Sequence, residues 1–297
     1  MGENMRKMCR VFKMTGILFF FLYVLSSKGF ASNTIPEDNL KYPVLVSFPN
    51  GEAASGFFIF KPGQGLYFVT AKHVFFTENM EALKNDRALL TAYTKAPGFD
   101  DQVKIELNLA ELTRNQSIRY SGSQDVVAIK MAGLAEGSET SFLPGVTIRR
   151  GSAKGASVVA VNAAAAVKLY GDVSIADEIY IFGYPVSLGI ENFPQVDYER
   201  PLLRKGVIAG KNEKLGTMIL DCAMYYGNSG GPIVQVEAVG PGSYEYRVIG
   251  LVSEFIPFQE KWLNLQYKYA NTNIQNTGYS VAVPIDAVLD ILNSEKE

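Results

Sequence analysis

A chain of 297 residues, 47% of them apolar and 20% charged, has a globular composition and the length to bury a sizeable core. That balance excludes a disordered chain, a collagen repeat and a coiled coil, and no period of roughly twenty to fifty residues marks a solenoid or propeller. A formal net charge of −2 gives no general attraction for nucleic-acid phosphates.

The N-terminus reads as an export signal. Arg6, Lys7, Arg10 and Lys13 make a basic start, residues 15–25 an apolar run, and Gly29 and Ala31 supply small side chains. That order predicts a secretory signal peptide over 1–31, cleaved after Ala31, and a periplasmic or secreted protein. The apolar run falls short of the about 20 residues a spanning helix needs. An uncleaved N-terminal anchor is the alternative, and membrane contact is expected only in that case. Removing 1–31 takes five basic and one acidic residue from 28 and 30, leaving 23 and 29 and a net charge of −6. No nucleic-acid partner is expected, and Arg149, Arg150 and Lys154 read as a solvated loop. Of the two cysteines, Cys9 lies in the signal, so Cys222 has no intrachain partner. One histidine and one mature cysteine cannot assemble a His/Cys zinc site, and no Ca²⁺-loop pattern is present. No metal or cofactor is expected.

Beyond the signal, short runs rich in Val, Ile, Phe and Tyr alternate with turn residues. Residues 42–48, 56–61, 66–70 and 126–131 predict strands, punctuated by Gly51, Pro62, Gly63, Ser121 and Gly122. A second set covers 178–182, 203–208, 217–220, 232–237, 246–253 and 279–283. Between them, the Gly- and Ala-rich stretch 145–172 is expected to connect the two halves. After Pro284, Ile285, Val288, Leu289 and Leu292 recur at helical spacing and predict a terminal helix. This is the pattern of an all-β barrel or sandwich protein.

The only histidine is His73, so any His-dependent mechanism must use it. A lone histidine closing an apolar strand is, by itself, more often a core residue than a catalyst. Ser229 stands in Gly227-Asn228-Ser229-Gly230-Gly231, which fits the G-x-S-x-G of a nucleophile elbow and also fits a plain glycine turn. The fold usually carrying that motif orders its triad Ser, acid, His, and here the histidine precedes the serine. The order Asp, His, Ser would need Asp38, which lies in a polar segment. The order His, Asp, Ser remains. Asp125 opens an apolar strand between the two and is the preferred acid; Asp100, Asp101, Asp172 and Asp177 are rivals by position. The stretch 206–212 resembles a phosphate-binding loop but lacks its spacing and its Ser/Thr.

Thr70-Ala71-Lys72-His73, Asp125-Val126-Val127-Ala128 and the serine segment through Pro232 resemble the three signature segments of trypsin-like serine proteases. Residues 221–232, 181–185, 206–210 and 278–286 are similar to HtrA-type bacterial members of that family. The resemblance spans roughly 42–293 but not 80–115, 132–172 or 256–277. It implies an all-β fold of two six-stranded antiparallel β-barrels, chymotrypsin-like, with a short C-terminal helix and the site between the barrels. Residues 32–172 would hold the N-terminal barrel and connector, and 173–297 the C-terminal barrel and helix. It also implies a serine endopeptidase acting on protein or peptide substrates. His73, Asp125 and Ser229 would be the triad, and the N–H groups of Gly227 and Ser229 the oxyanion hole. Ala223, Tyr226 and Phe255 would line the substrate pocket, and Ser253 would support the aspartate. No acidic residue falls on the pocket floor, which points to a small or medium apolar residue before the scissile bond. There are departures from the family pattern. Asn228 replaces an aspartate used in activation by cleavage, so activity without such cleavage is expected. Lys72 stands where a small residue is usual and is expected to face solvent. No PDZ segment is expected after the terminal helix. The competing readings are a non-catalytic binding protein on this fold, and an esterase using the same triad.

Overall fold

The computed structural model describes residues 35–77, 82–94, 102–133, 142–149, 158–184, 193–241 and 243–294. The predicted signal peptide lies outside the described residues. Ile35–Glu237 and Tyr244–Glu297 form one compact unit, which contains the site and both sheets apart from the hairpin end of β13 and β14.

The first sheet comprises β1 (Pro43–Ser47), β2 (Ala53–Lys61), β3 (Gly65–Thr70), β4 (Arg87–Tyr93), β5 (Gln102–Asn108), β6 (Ile118–Tyr120), β7 (Val127–Ala132), β8 (Val146–Arg149) and β9 (Ala160–Asn162). Its order is β6-β7-β3-β2-β1-β4-β5-β8, all antiparallel, with β9 laid parallel on β2. The second comprises β10 (Glu178–Gly183), β11 (Leu202–Asn212), β12 (Thr217–Asp221), β13 (Pro232–Gly240), β14 (Ser243–Asn264) and β15 (Tyr269–Pro284). These six close a barrel in the order β10-β11-β12-β15-β14-β13. The chain is therefore all-β and chymotrypsin-like, ending in the expected helix, Ile285–Asn293.

Among the described residues the first sheet holds nine strands, three more than expected, and part of 145–172 supplies two of them. Val146 and Val161 are buried in β8 and β9, so this stretch extends the sheet as well as leading away from it.

The alternation of side chains explains how the sheets meet. In β10, Ile179 and Ile181 point into the closed barrel, while Tyr180 and Phe182 join the core shared with the first sheet. The terminal helix crosses the same boundary. It follows the last barrel strand, yet Ile285, Val288, Ile291 and Leu292 pack into the first sheet's core. Each fully buried aliphatic chain contributes about 1.5–3 kcal/mol. Lys61 and Arg119, both from the first sheet, donate to the helix-end carbonyl of Leu292 at 3.1 and 3.2 Å, satisfying an acceptor with no helical partner. Helix and strand thus hold the walls of one cleft together.

Candidate active site

A cleft of about 750 Å³ is lined by His73, Ser229, Ser253, Glu254, Phe255, Met224, Tyr225, Tyr226 and Gly227, together with residues 48, 50–54, 74 and 84. Each side chain reaches it for a local reason.

The four-residue helix Lys72–Phe75 turns the chain at the end of β3 and brings His73 to the cleft. The backbone N–H of His73 has no helical acceptor and donates to Asp125 Oδ1 at 2.9 Å. Its ring Nδ1 meets Asp125 Oδ2 at 2.7 Å. One carboxylate therefore grips both the backbone and the ring of His73. Asp125 comes off a bend in which Ser121 Oγ accepts from Gln124 N at 3.1 Å, directly before the fully buried Val126. A third donor, Ser253 Oγ, reaches Asp125 Oδ2 at 2.6 Å from β14 of the other sheet.

Burial alone would raise the Asp125 pKa. The ring hydrogen bond and charge of His73, the Ser253 hydroxyl and the His73 N–H outweigh it and hold the carboxyl at about 2, against an ordinary 3.8. Because the folded-state value is the lower one, the ionised group stabilises the fold above pH 3.8, and that contribution is lost as pH falls through about 2. It amounts to about 2 kcal/mol. Denaturant unfolding between pH 5 and pH 2 should show the wild type losing that much more stability than Asp125→Asn.

Lys72 does not face solvent. It is 7% exposed, its Nζ donates to Ser121 O at 2.8 Å, and it lies 5.6 Å from the centre of the Tyr120 ring. A buried ammonium needs such partners. Its stem bridges the histidine helix to the bend that carries Asp125.

Ser229 sits in the loop between β12 and β13. Gly227 and Gly230 have φ of +94° and +83°, where a side chain is strained. A Cβ at Gly230 would also run into Thr70 Oγ1 and Ser55 O. Asn228 N bonds Tyr225 O at 3.1 Å and Gly231 N bonds Asn228 O at 2.9 Å, closing the turn. Asn228 is 2% exposed and its Nδ2 has no partner. The N–H groups of Gly227 and Ser229 likewise have no acceptor among the described residues. The Ser229 hydroxyl donates to Ser253 O at 3.2 Å, and no hydrogen bond joins it to His73 among those residues.

The loop is clamped from the first sheet by Ser55 of β2, which is fully buried. Ser55 N donates to Ser229 O at 3.0 Å and Ser55 Oγ to Gly227 O at 2.7 Å. Tyr184 N donates to Ser55 Oγ at 2.9 Å, and Thr70 Oγ1 to Ser55 O at 2.7 Å. Sequence reasoning missed Ser55. Its signal was a hydroxyl inside an otherwise apolar strand, where a buried polar group demands partners.

Of the expected pocket residues, Tyr226 and Phe255 line the cleft with rings edge-to-face, centroids 5.9 Å apart. Ala223 is half-buried and does not line it; Met224 does. Asp172 and Asp177 belong to the region before the second barrel, where Asp177 accepts from Gln235 at 2.8 Å. Asp100 and Asp101 lie outside the described residues. Burial pushes the Cys222 thiol up to about 11, only partly offset by nearby Arg204, so it is no rival nucleophile. No cluster of three or more His, Cys, Asp or Glu that could hold a metal occurs among the described residues.

The trypsin-like peptidase domain matches residues 54–239, a stretch containing His73, Asp125 and Ser229. The chain belongs to the trypsin-like peptidase family. Similar solved structures are distant in sequence. The thermostable serine protease AL20 from an extremophilic microorganism is 13% identical with a TM-score of 0.48, over 87% of this chain and 97% of that one. The protease Anisep from Arthrobacter nicotinovorans is 11% identical with a TM-score of 0.47, over 85% and 94%. The HtrA-type protease AlgW, solved with a tripeptide, is 13% identical with a TM-score of 0.44, over 86% and 60%. The chain thus spans about three fifths of AlgW's length. No curated protein matches.

Proposed function

We propose that this protein is an exported serine endopeptidase working through His73, Asp125 and Ser229. His73 Nε2 takes the Ser229 proton as Oγ attacks the scissile carbonyl. The tetrahedral oxyanion sits on the N–H groups of Gly227 and Ser229. His73 then gives its proton to the departing amine, and a water activated by the same nitrogen releases the acyl group. Asp125 fixes the tautomer and stabilises the imidazolium. For the first step the Ser229 hydroxyl leaves the Ser253 carbonyl and turns to His73, a rotation about χ1.

The observation that carries this reading is the two-point grip of Asp125 on His73, 2.9 Å to its N–H and 2.7 Å to its ring, in the cleft that Ser229 lines. A structural histidine needs no carboxylate holding both its backbone and its ring at the wall of a cleft that a serine also lines. The apolar walls Met224, Tyr226 and Phe255 favour a small or medium apolar residue before the scissile bond.

The test uses secreted protein, expected to start at Ser32, beside Ser229→Ala. The wild type should react with a fluorophosphonate probe and digest denatured casein, with fragments ending mostly in small or medium apolar residues. Both activities should vanish in the variant. Labelling without proteolysis would favour an esterase, and no labelling a binding protein.

A further inference from the structure

Strands β14 and β15 outgrow the barrel. Past Phe255 they pair only with each other, from Pro257↔Asn276 to Asn264↔Tyr269, whereas β12 pairs with β15 only at 279–282. The result is a two-stranded ribbon, which by itself is marginal in water. It also displays large apolar side chains: Phe258, Trp262, Leu263 and Tyr269 are all at least half exposed. The register puts Phe258, Trp262 and Tyr269 on one face.

The edge of β14 away from β15 begins in the cleft. Gly230 and Gly231 hold that edge at Val252, by bonds of 2.8 and 3.0 Å. One residue on, the Ser253 carbonyl meets the Ser229 hydroxyl. From Glu254 to Asn264 that edge has no partner among the described residues. Pro257 interrupts its donors once, a common guard against unselective pairing, and leaves 258–264 unbroken. The whole edge is about 35 Å long. The edge belongs to one strand, Ser243–Asn264, whose ladder with β15 is irregular between Val252 and Glu254 and between Phe255 and Pro257.

We propose that the ribbon part of this edge, 258–264, takes as a third antiparallel strand a more distant stretch of extended substrate, N-terminal to the residues held in the cleft beside Ser229. The substrate class is then unfolded polypeptide with about ten extended residues upstream of the cut, apolar at alternate positions so as to cover Phe258 and Trp262. The proposal rests on the peptidase reading. The shared strand favours a substrate over a second copy, since the ribbon edge and the Ser253 carbonyl beside Ser229 lie on the same strand. Antiparallel pairing, which β14 adopts with β15 and which is the stronger mode, puts the upstream side on the ribbon.

Trp262 is the only tryptophan in the chain, so its emission reports on the ribbon alone. Tryptophan-free peptides sharing one cleavage site would carry either four or twelve residues upstream. With Ser229→Ala, the longer peptide should shift the emission to the blue and bind about tenfold more tightly. With wild type it should show about tenfold lower KM at similar kcat. Adding residues downstream of the cut should change neither. The exposed-site variant Phe258→Ser/Trp262→Ser should erase the advantage of the long peptide and leave turnover of the short one intact. Equal kinetics for the two lengths, in enzyme that labels with the probe, would overturn the proposal. So would a stable dimer that the double variant turns into monomer. Failure of the wild type to label would instead remove the peptidase reading.

Discussion

Asp125→Asn should lower kcat/KM at neutral pH by about 10⁴-fold with KM nearly unchanged, while the protein stays folded and gives up only the about 2 kcal/mol tied to the ionised carboxylate. The size follows from which oxygen of the carboxylate is replaced. Oδ1 accepts from the His73 backbone N–H at 2.9 Å, and only an oxygen can accept there. The amide must therefore keep its oxygen at that position and place its NH₂ where Oδ2 now meets the ring nitrogen at 2.7 Å. That NH₂ donates to Nδ1 and forces the ring proton onto Nε2, which then has no lone pair for the Ser229 proton. The Ser253 hydroxyl, now donating to Oδ2 at 2.6 Å, can turn and accept, so the site stays assembled. Steady-state kinetics on a peptide ester, beside unfolding curves for both proteins, check this. A loss below tenfold would mean that His73 is not oriented through Asp125.

How far the site was legible in the sequence depended on where each partner lay. His73 stood out because it is solitary, and Ser229 because glycines flank it. Their chain order left one arrangement, in which Asp125 opens a strand that the structure places beside His73. Lys72 and Ser55 were not legible, because their partners are backbone carbonyls far away in the chain. Lys72 reaches over 49 residues to Ser121, and Ser55 over 172 to Gly227. A main-chain acceptor leaves no trace in residue type. The fold shows the same divide. In β5, Val103, Ile105 and Leu107 alternate with polar residues, so the signal existed although no family segment drew attention to it. The ribbon beyond Phe255 carries no such signal, since periodicity appears only where one face is buried and here both are wet. Residues 145–172 misled for the opposite reason: glycine and alanine suggested a linker, while a few β-branched residues were enough to add strands.

Ser55→Ala should lower kcat by about 10²-fold with KM little changed, and destabilise the protein by about 2–4 kcal/mol. The hydroxyl is fully buried and satisfies two backbone groups, the Gly227 carbonyl at 2.7 Å and the Tyr184 N–H at 2.9 Å. Removing it leaves both without water or partner, which accounts for the stability term. The kinetic term is local. The backbone bond from Ser55 N to Ser229 O survives, so Ser229 stays in place, and the Gly231 N–H still closes the turn on Asn228. What is freed is the carbonyl of Gly227, a residue already at φ +94° and unhindered by a side chain. With that carbonyl free, φ and ψ of Gly227 can relax, and the adjoining 226–227 peptide unit, which carries the Gly227 N–H, tilts away from the site of the oxyanion, which exists only in the transition state. A peptidyl boronate, which carries a comparable tetrahedral anion, should therefore lose affinity in step with kcat/KM, while peptide affinity measured on Ser229→Ala should not change when Ser55→Ala is added. The pH dependence should also stay as it was, because the bonds between His73 and Asp125 are untouched. Destabilisation with unaltered kcat and boronate affinity would reduce Ser55 to a fastener between the two sheets.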